Sequence, residues 1–206
     1  MKRALLLDLG NVVLRVDFRR TFDYWAEAAR VPAERLYRRW QLDEAYELHE
    51  VGALAFEEYI AALSRRLMID LPMEEWRAGW NAVFAGAFQD VQARLPTVRQ
   101  SMPVYLFTNT NATHQAAWSH LYADTLSHFD ALYVSSEIGH RKPNVSAFRH
   151  VAEDMGYAPE QIVFVDDTKE NVLGARAAGM DARMVGSEAD VVRILDELTG
   201  TEPGDS

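Results

Sequence analysis

The stretch that most limits what this chain can fold into is its beginning, where Ala4-Leu5-Leu6-Leu7 is delivered into Asp8 and then into the turn Gly10-Asn11. The apolar run has no polar alternation, so a strand made from it must be covered on both faces, as in a parallel sheet packed between helices. Two later segments repeat the design: Pro103 to Phe107 runs into Thr108-Asn109-Thr110-Asn111, and Ile162 to Val165 runs into Asp166-Asp167. Between them the apolar patch Ala131-Leu132-Tyr133-Val134 precedes Arg141-Lys142-Pro143, just ahead of a helical stretch. Strand and helix alternate through this half, which implies βαβ units. In open α/β sheets ligands collect outside the carboxyl ends of the strands, so groups ending these segments are placed to act together.

Each group alone has a bland reading. Asp8 and Thr108-Asn109 suit turns, Lys142 suits a solvated loop, and Asp166-Asp167 suits the cap of a helix at Thr168. Their occurrence in order, at the ends of successive strands of one sheet, reverses the odds.

Between the first strand and the rest the pattern is helical. Asp17 caps a helix running through Thr21 and Trp25 to Ala29, Pro32 opens Ala33 to Trp40, and Asp43 opens a segment ending near Glu50. Gly52 breaks the chain before Phe56 to Leu67, and Pro72 opens a helix with Trp76, Trp80, Val83 and Phe84 on one face. Helix is expected throughout to about Phe88, with Trp76 and Trp80 as core of that layer. Residues 1–16 and 89–199 are expected to form the main domain, 17–88 the helical insertion and 200–206 a flexible tail. Within the main domain, a helix from Asp90 to Gln100 is expected to be disturbed at Pro96, and Ala182 to Val185 makes a last short strand.

A chain of 206 residues holds one well-buried core and a modest insertion. The net charge of -10 argues against nucleic acid as a partner. No apolar run approaches a membrane span and the start lacks the pattern of a signal peptide, so a cytoplasmic location is expected. Without cysteine there is no disulfide, thiolate metal site or thiol nucleophile. Monomer and homodimer both stay open.

The order of carboxylate, hydroxyl with amides, lysine and double carboxylate resembles the haloacid dehalogenase-like (HAD) hydrolase superfamily over nearly the whole chain. The resemblance implies a three-layer Rossmann-like α/β core with a parallel sheet and a helical C1 cap inserted after the first strand. It implies a phosphatase acting on a small phosphorylated metabolite with Mg²⁺ as cofactor. In that scheme Asp8 is nucleophile and metal ligand, Gly10 gives a main-chain carbonyl to the metal, and Asp167 with Asp166 completes the protein ligands. Thr108, Asn109 and Lys142 hold the transferring phosphoryl group. Asn144 stands after Lys142-Pro143 where relatives often carry an acid, a change expected to affect only the helix start.

One departure matters more. Most phosphatases of the superfamily carry an Asp two residues after the nucleophile as general acid and base, and here that position is Gly10. Such help is typically worth about 10²–10⁴ in rate. Asp8 to Val13, the helical cap, His49-Glu50, and the turn leading to His114 and Trp118 are similar to the bacterial α-D-glucose-1-phosphate phosphatase branch. A sugar 1-phosphate fits the missing acid, because an anomeric oxygen leaves more readily than an ordinary alcohol. His49 is expected to face the substrate, and either His49 or His114 is a candidate substitute acid. Two alternatives are a 2-haloacid dehalogenase, which needs no Mg²⁺, and a non-catalytic relative that binds a phosphorylated ligand or a protein.

Overall fold

The computed structural model describes residues 3–200. Its first strand, β1 (Ala4–Leu7), is the centre of a five-stranded sheet, and all four of its residues are fully buried. Strand β2 (Leu14–Val16) pairs antiparallel with β3 (Phe84–Ala87) in a separate two-stranded ribbon. The remaining strands, β4 (Val104–Thr108), β5 (Ala131–Val134), β6 (Ile162–Asp166) and β7 (Asp181–Met184), join β1 in the order β5-β4-β1-β6-β7, every pair parallel. Leu5 lies opposite Val104 on one side and Val163 on the other.

Helices cover both faces. On one side Leu5 and Leu7 pack with Val91, Leu95, Ile194 and Leu195, from the helices Gln89–Ser101 and Glu188–Thr199. On the other, Leu6 packs with Phe164, Phe107 and Phe148, and with residues of the helices Val145–Met155 and Lys169–Ala178. Each such leucine contributes about 1.5–3 kcal/mol by leaving water. That is why an unbroken apolar run reads as a strand covered on both faces. The helix Gln89–Ser101 runs continuously with Pro96 inside it. The expected tail falls mostly on residues 201–206, outside the described part; the preceding helix ends at Gly200 in the left-handed region, φ 71°.

Five helices occupy the sequence between β2 and β3: α1 (Phe18–Ala29), α2 (Ala33–Tyr37), α3 (Glu44–Glu50), α4 (Phe56–Leu67) and α5 (Met73–Asn81). Asp17 caps α1 by accepting from the Arg19 N–H (2.9 Å), and Asp43 caps α3 by accepting from Tyr46 (2.9 Å). These helices share a cluster of their own, built around Trp25, Trp76 and Trp80; Trp25 and Trp80 stack with centroids 5.9 Å apart. Gly79 lies so close to Trp25 that an added Cβ would meet its Nε1 at 2.2 Å.

Two local expectations fail. Helix does not run on to Phe88, because Phe84 to Ala87 form β3, fixed by Asp17 N–H to Val83 O (2.9 Å) and Phe88 N–H to Val13 O (2.8 Å). Gly86 at φ 110° could not continue a helix, and pairing with β2 decided the outcome over the apolar spacing. The second helix is also shorter than expected, ending at Tyr37 before Trp40 turns in against Phe18, with ring centroids 5.1 Å apart.

Candidate active site

Three neighbouring strands of the sheet end in polar groups. Asp8 follows β1, Thr108 closes β4 and Asp166 closes β6, at the carboxyl edge where α/β sheets bind ligands. Lys142 enters from the loop after β5. Its ammonium is fully committed, donating to Asp8 Oδ1 (2.6 Å), Asp166 Oδ2 (2.7 Å) and the Phe107 carbonyl (2.9 Å). Lys142 is 1% exposed and Asp166 wholly buried. A buried charge is tolerable only when paired and hydrogen-bonded in this way.

Electrostatics follow from that geometry. Burial pulls the Lys142 ammonium down, but Asp166 and Asp8 outweigh it and hold its pKa above the ordinary value. Asp8 is pushed up to about 7 by burial, against the pull of Lys142 and with the push of Asp166. Asp167 is also raised, by burial first and then by Asp166. The excess of negative charge over the single lysine invites a cation.

One ligand oxygen from each of Asp8, Asp166 and Asp167 lies within 4.8 Å of the others, a donor set of hard oxygens suited to Mg²⁺. The two aspartates of the doublet are not equivalent. Asp166 accepts from Lys142, from the Thr168 N–H (2.8 Å) and from Asn171 Nδ2 (3.1 Å to both oxygens), and it stays off the cavity wall. Asp167 lies on the wall and, among the described residues, accepts from neutral donors, Asn11 Nδ2 (3.2 Å) and the Thr168 hydroxyl (3.2 Å). Gly10 stands beside them; an added Cβ would lie 3.9 Å from Asp8 Oδ2.

Above this edge lies a cavity of about 680 Å³, floored by Asp8, Thr108, Lys142 and Asp167 and roofed by Phe18, Trp40, Leu42, Tyr46, Glu47 and Glu50 of the helical insertion. Asn109 is on the wall, but its side chain grips the Lys142 peptide: Nδ2 donates to Lys142 O (2.8 Å) and Oδ1 accepts from Lys142 N–H (2.9 Å). The Asn109 amide group is thus engaged in holding the lysine from both of its ends.

His49 is off the cavity. Its ring stacks on Tyr59 (4.9 Å, 8°) and its Nδ1 meets the Leu54 carbonyl (2.9 Å), while Tyr46, Glu47 and Glu50 of the same helix face inward. The phase of α3 decides this: positions 46, 47 and 50 share one face, and 49 turns toward α4. His114 does line the cavity. It is buried, stacked on Trp80 (4.6 Å), with Nε2 at the Trp80 carbonyl (3.0 Å) and Nδ1 near Asn111 Nδ2 (3.3 Å). An Nε2–H tautomer satisfies both contacts, and burial pushes the imidazole down to about 3.

Several members of the site were not singled out from the sequence. Asn171 follows the aspartate doublet by one helical turn, a spacing that signals it. Glu47 shares the inward face of α3 with Glu50, and both are ion-paired with Arg141. Phe18, Trp40 and Leu42 carry no sequence signal beyond their hydrophobicity.

Residues 2–179 match the family described as haloacid dehalogenase-like hydrolase. Among curated proteins, a D-ribitol-5-phosphate phosphatase of Bacteroides thetaiotaomicron is 24% identical over 199 residues, 92% of this chain and 95% of the relative. A drimenol cyclase of Aspergillus calidoustus is 29% identical over 98% of this chain, which spans only 37% of that longer protein. Among solved structures, a HAD-family enzyme of Bacteroides thetaiotaomicron in complex with magnesium and inorganic phosphate superposes with a TM-score of 0.77 at 23% identity, over 91% of this chain and 96% of that one.

Proposed function

The chain belongs to the haloacid dehalogenase-like hydrolase family, and from that premise we propose that it is a Mg²⁺-dependent phosphatase of a small phosphorylated metabolite, a sugar phosphate such as glucose 1-phosphate. The observation that carries the reading is the meeting of Asp8, Lys142, Asp166 and Asp167 at one edge of the sheet. In it Asp8, the Gly10 carbonyl and Asp167 would hold the metal, with Asp166 contributing charge while it anchors Lys142. Bound there, Mg²⁺ neutralises charge on the phosphoryl oxygens and lets a carboxylate approach an anion.

The protein's own groups do the rest. Asp8 Oδ2, the oxygen not taken by Lys142, attacks phosphorus; the new Asp8–phosphorus bond forms as the bond to the leaving oxygen breaks. Lys142 favours the ionised form of Asp8 and orients it, and Thr108 stands at the end of β4 to donate to a phosphoryl oxygen. The leaving oxygen takes its proton from water. Water then attacks the aspartyl-phosphate, releasing inorganic phosphate and restoring Asp8.

Neither histidine offers an acid in place of the Asp absent at position 10. His49 is off the cavity, and His114 has both nitrogens engaged and is neutral at physiological pH. A leaving group that departs without much protonation suits such a site, which favours an anomeric oxygen. The helices of residues 17–88 act as a cap whose inward wall meets the sugar, and Asn109 serves by fixing Lys142. A dehalogenase would have no use for Asp167 on the wall.

The test is phosphate release across sugar, polyol and alkyl phosphates, with Mg²⁺ and with excess EDTA. Release from glucose 1-phosphate that needs Mg²⁺ and exceeds that from an alkyl phosphate is the expected result. Metal-independent halide release, or equal kcat/KM for the two phosphates, would count against it.

A further inference from the structure

The proposed mechanism leaves one cationic group on the cavity wall unused. Arg141 precedes Lys142 in the core, yet its guanidinium is spent on the cap: Nε and Nη2 meet Glu50 Oε2 at 3.1 and 2.8 Å, and Nη1 meets Glu47 Oε1 at 2.9 Å. The Glu50 carboxylate is buried, and burial raises its pKa against the pull of Arg141. The same residue is fastened to the core a second time, because the Ser135 hydroxyl donates to the Glu50 carbonyl (2.6 Å) and accepts from the Thr110 N–H (2.9 Å). Gly52 completes the seat. It has φ 74°, and a Cβ there would strike the Ser136 carbonyl at 2.5 Å, so α3 sits flush on the core only because the residue is glycine.

On the far side of the same peptide, Asn109 grips both the N–H and the carbonyl of Lys142. Two consecutive residues thus join the cap to the centre of the reaction. Arg141 holds Glu50, while Lys142 holds Asp8 and Asp166. We infer that Arg141 is a positioning residue that couples seating of the cap to alignment of Lys142, so that the Asp8–Lys142 pair is correctly placed only when the cap is down. Without the Glu50 charge, the guanidinium keeps only the more exposed Glu47 as a partner and follows it outward, pulling on the Lys142 peptide. A misplacement of about 1 Å at a reacting centre costs on the order of 10² in rate.

This inference rests on the phosphatase reading, and its test separates the two. Glu50→Gln, Arg141→Gln, the double variant and Arg141→Lys are compared with wild type on the phosphate that wild type hydrolyses best. Amide hydrogen exchange at Lys142 is followed in parallel. The expectation is that each Gln variant lowers kcat about tenfold or more with KM within about threefold, and that the double falls no further. Arg141→Lys recovers part of the loss, and Glu50→Gln speeds exchange at Lys142. A rise in KM at unchanged kcat would make Arg141 a substrate contact and overturn the coupling, as would losses that multiply in the double variant. If wild type releases no phosphate from any substrate, the phosphatase reading fails. Unchanged exchange at Lys142 in Glu50→Gln then overturns the coupling by itself.

Discussion

The floor and the roof of the cavity are built on different physics. On the floor, Lys142 locks Asp8 at 2.6 Å and, behind the wall, Asp166 at 2.7 Å, and main-chain groups of Phe107 and Thr168 complete their hydrogen bonds. On the roof, Phe18 and Trp40 offer stacked rings, Leu42 is largely exposed, and the polar groups are Tyr46 with the Glu47 and Glu50 carboxylates held by Arg141. The floor is over-determined, each charged group held by several partners. The roof is an apolar wall with a few polar points, and its residues are free to vary with the leaving group. On the phosphatase reading proposed above, chemistry belongs to the floor and selectivity to the roof, and substitutions on the two should differ in kind.

The largest expected effect is on the floor. Asp8→Asn removes the proposed nucleophile with little change in shape, and phosphate release should fall by about 10⁴-fold or more while circular dichroism stays unchanged. Activity that survives this change would break the assignment of the floor. Next comes Lys142→Met, which strands two carboxylates in a buried site. A rate loss of about 10²–10³ is expected together with about 3–5 kcal/mol of stability, measured by urea unfolding without metal. By contrast, Trp40→Ala on the roof should raise KM for the sugar phosphate and leave kcat for a small aryl phosphate within a few-fold.

Gly10→Asp sharpens the comparison from the other direction. An added Cβ would meet Val16 Cγ2 at 3.3 Å, a contact that a small shift of that side chain relieves. A carboxyl acid placed there should raise kcat/KM for an alkyl phosphate by as much as about 10², and raise it less for a sugar 1-phosphate, whose leaving oxygen needs less help. Equal gains on both would show that the leaving group was never the reason for the glycine.

The floor was legible in the sequence and the roof was not, for a physical reason. Asp8, Thr108, Lys142 and Asp166-Asp167 each end an apolar run, so one dimension of pattern locates them at one edge of a sheet. Strand order placed β4, β1 and β6 side by side and completed the site. The roof depends on helical phase and on contacts between distant segments. His49 was expected at the substrate, yet the rotation of a single residue along α3 separates Glu50, facing the cavity, from His49, facing Tyr59. Phe84 fell on the apolar face of a helix by spacing alone, and only its pairing with β2 made it a strand. Asn109 stands on the cavity wall, and its grip on the Lys142 main chain is a long-range contact that local sequence cannot carry.

The smallest expected effect lies where floor and roof meet, at His114. Its ring is held between Trp80 of α5 and Asn111 after β4, and burial pushes its pKa down to about 3, far below the ordinary 6.5. Between those two pH values the unfolded chain binds a proton at this position and the folded chain does not. The contribution is therefore full above pH 6.5 and is lost progressively as pH falls toward 3, with a slope of about 1.4 kcal/mol per pH unit. His114→Gln removes that slope. Unfolding free energies of the variant should fall less steeply between pH 6 and pH 4 than those of wild type, while kcat at pH 7 stays within about threefold, since the ring moves no proton in the reaction. A large loss of kcat at full stability would instead put this imidazole among the groups that touch the substrate, and the boundary between floor and roof would have to be redrawn through α5.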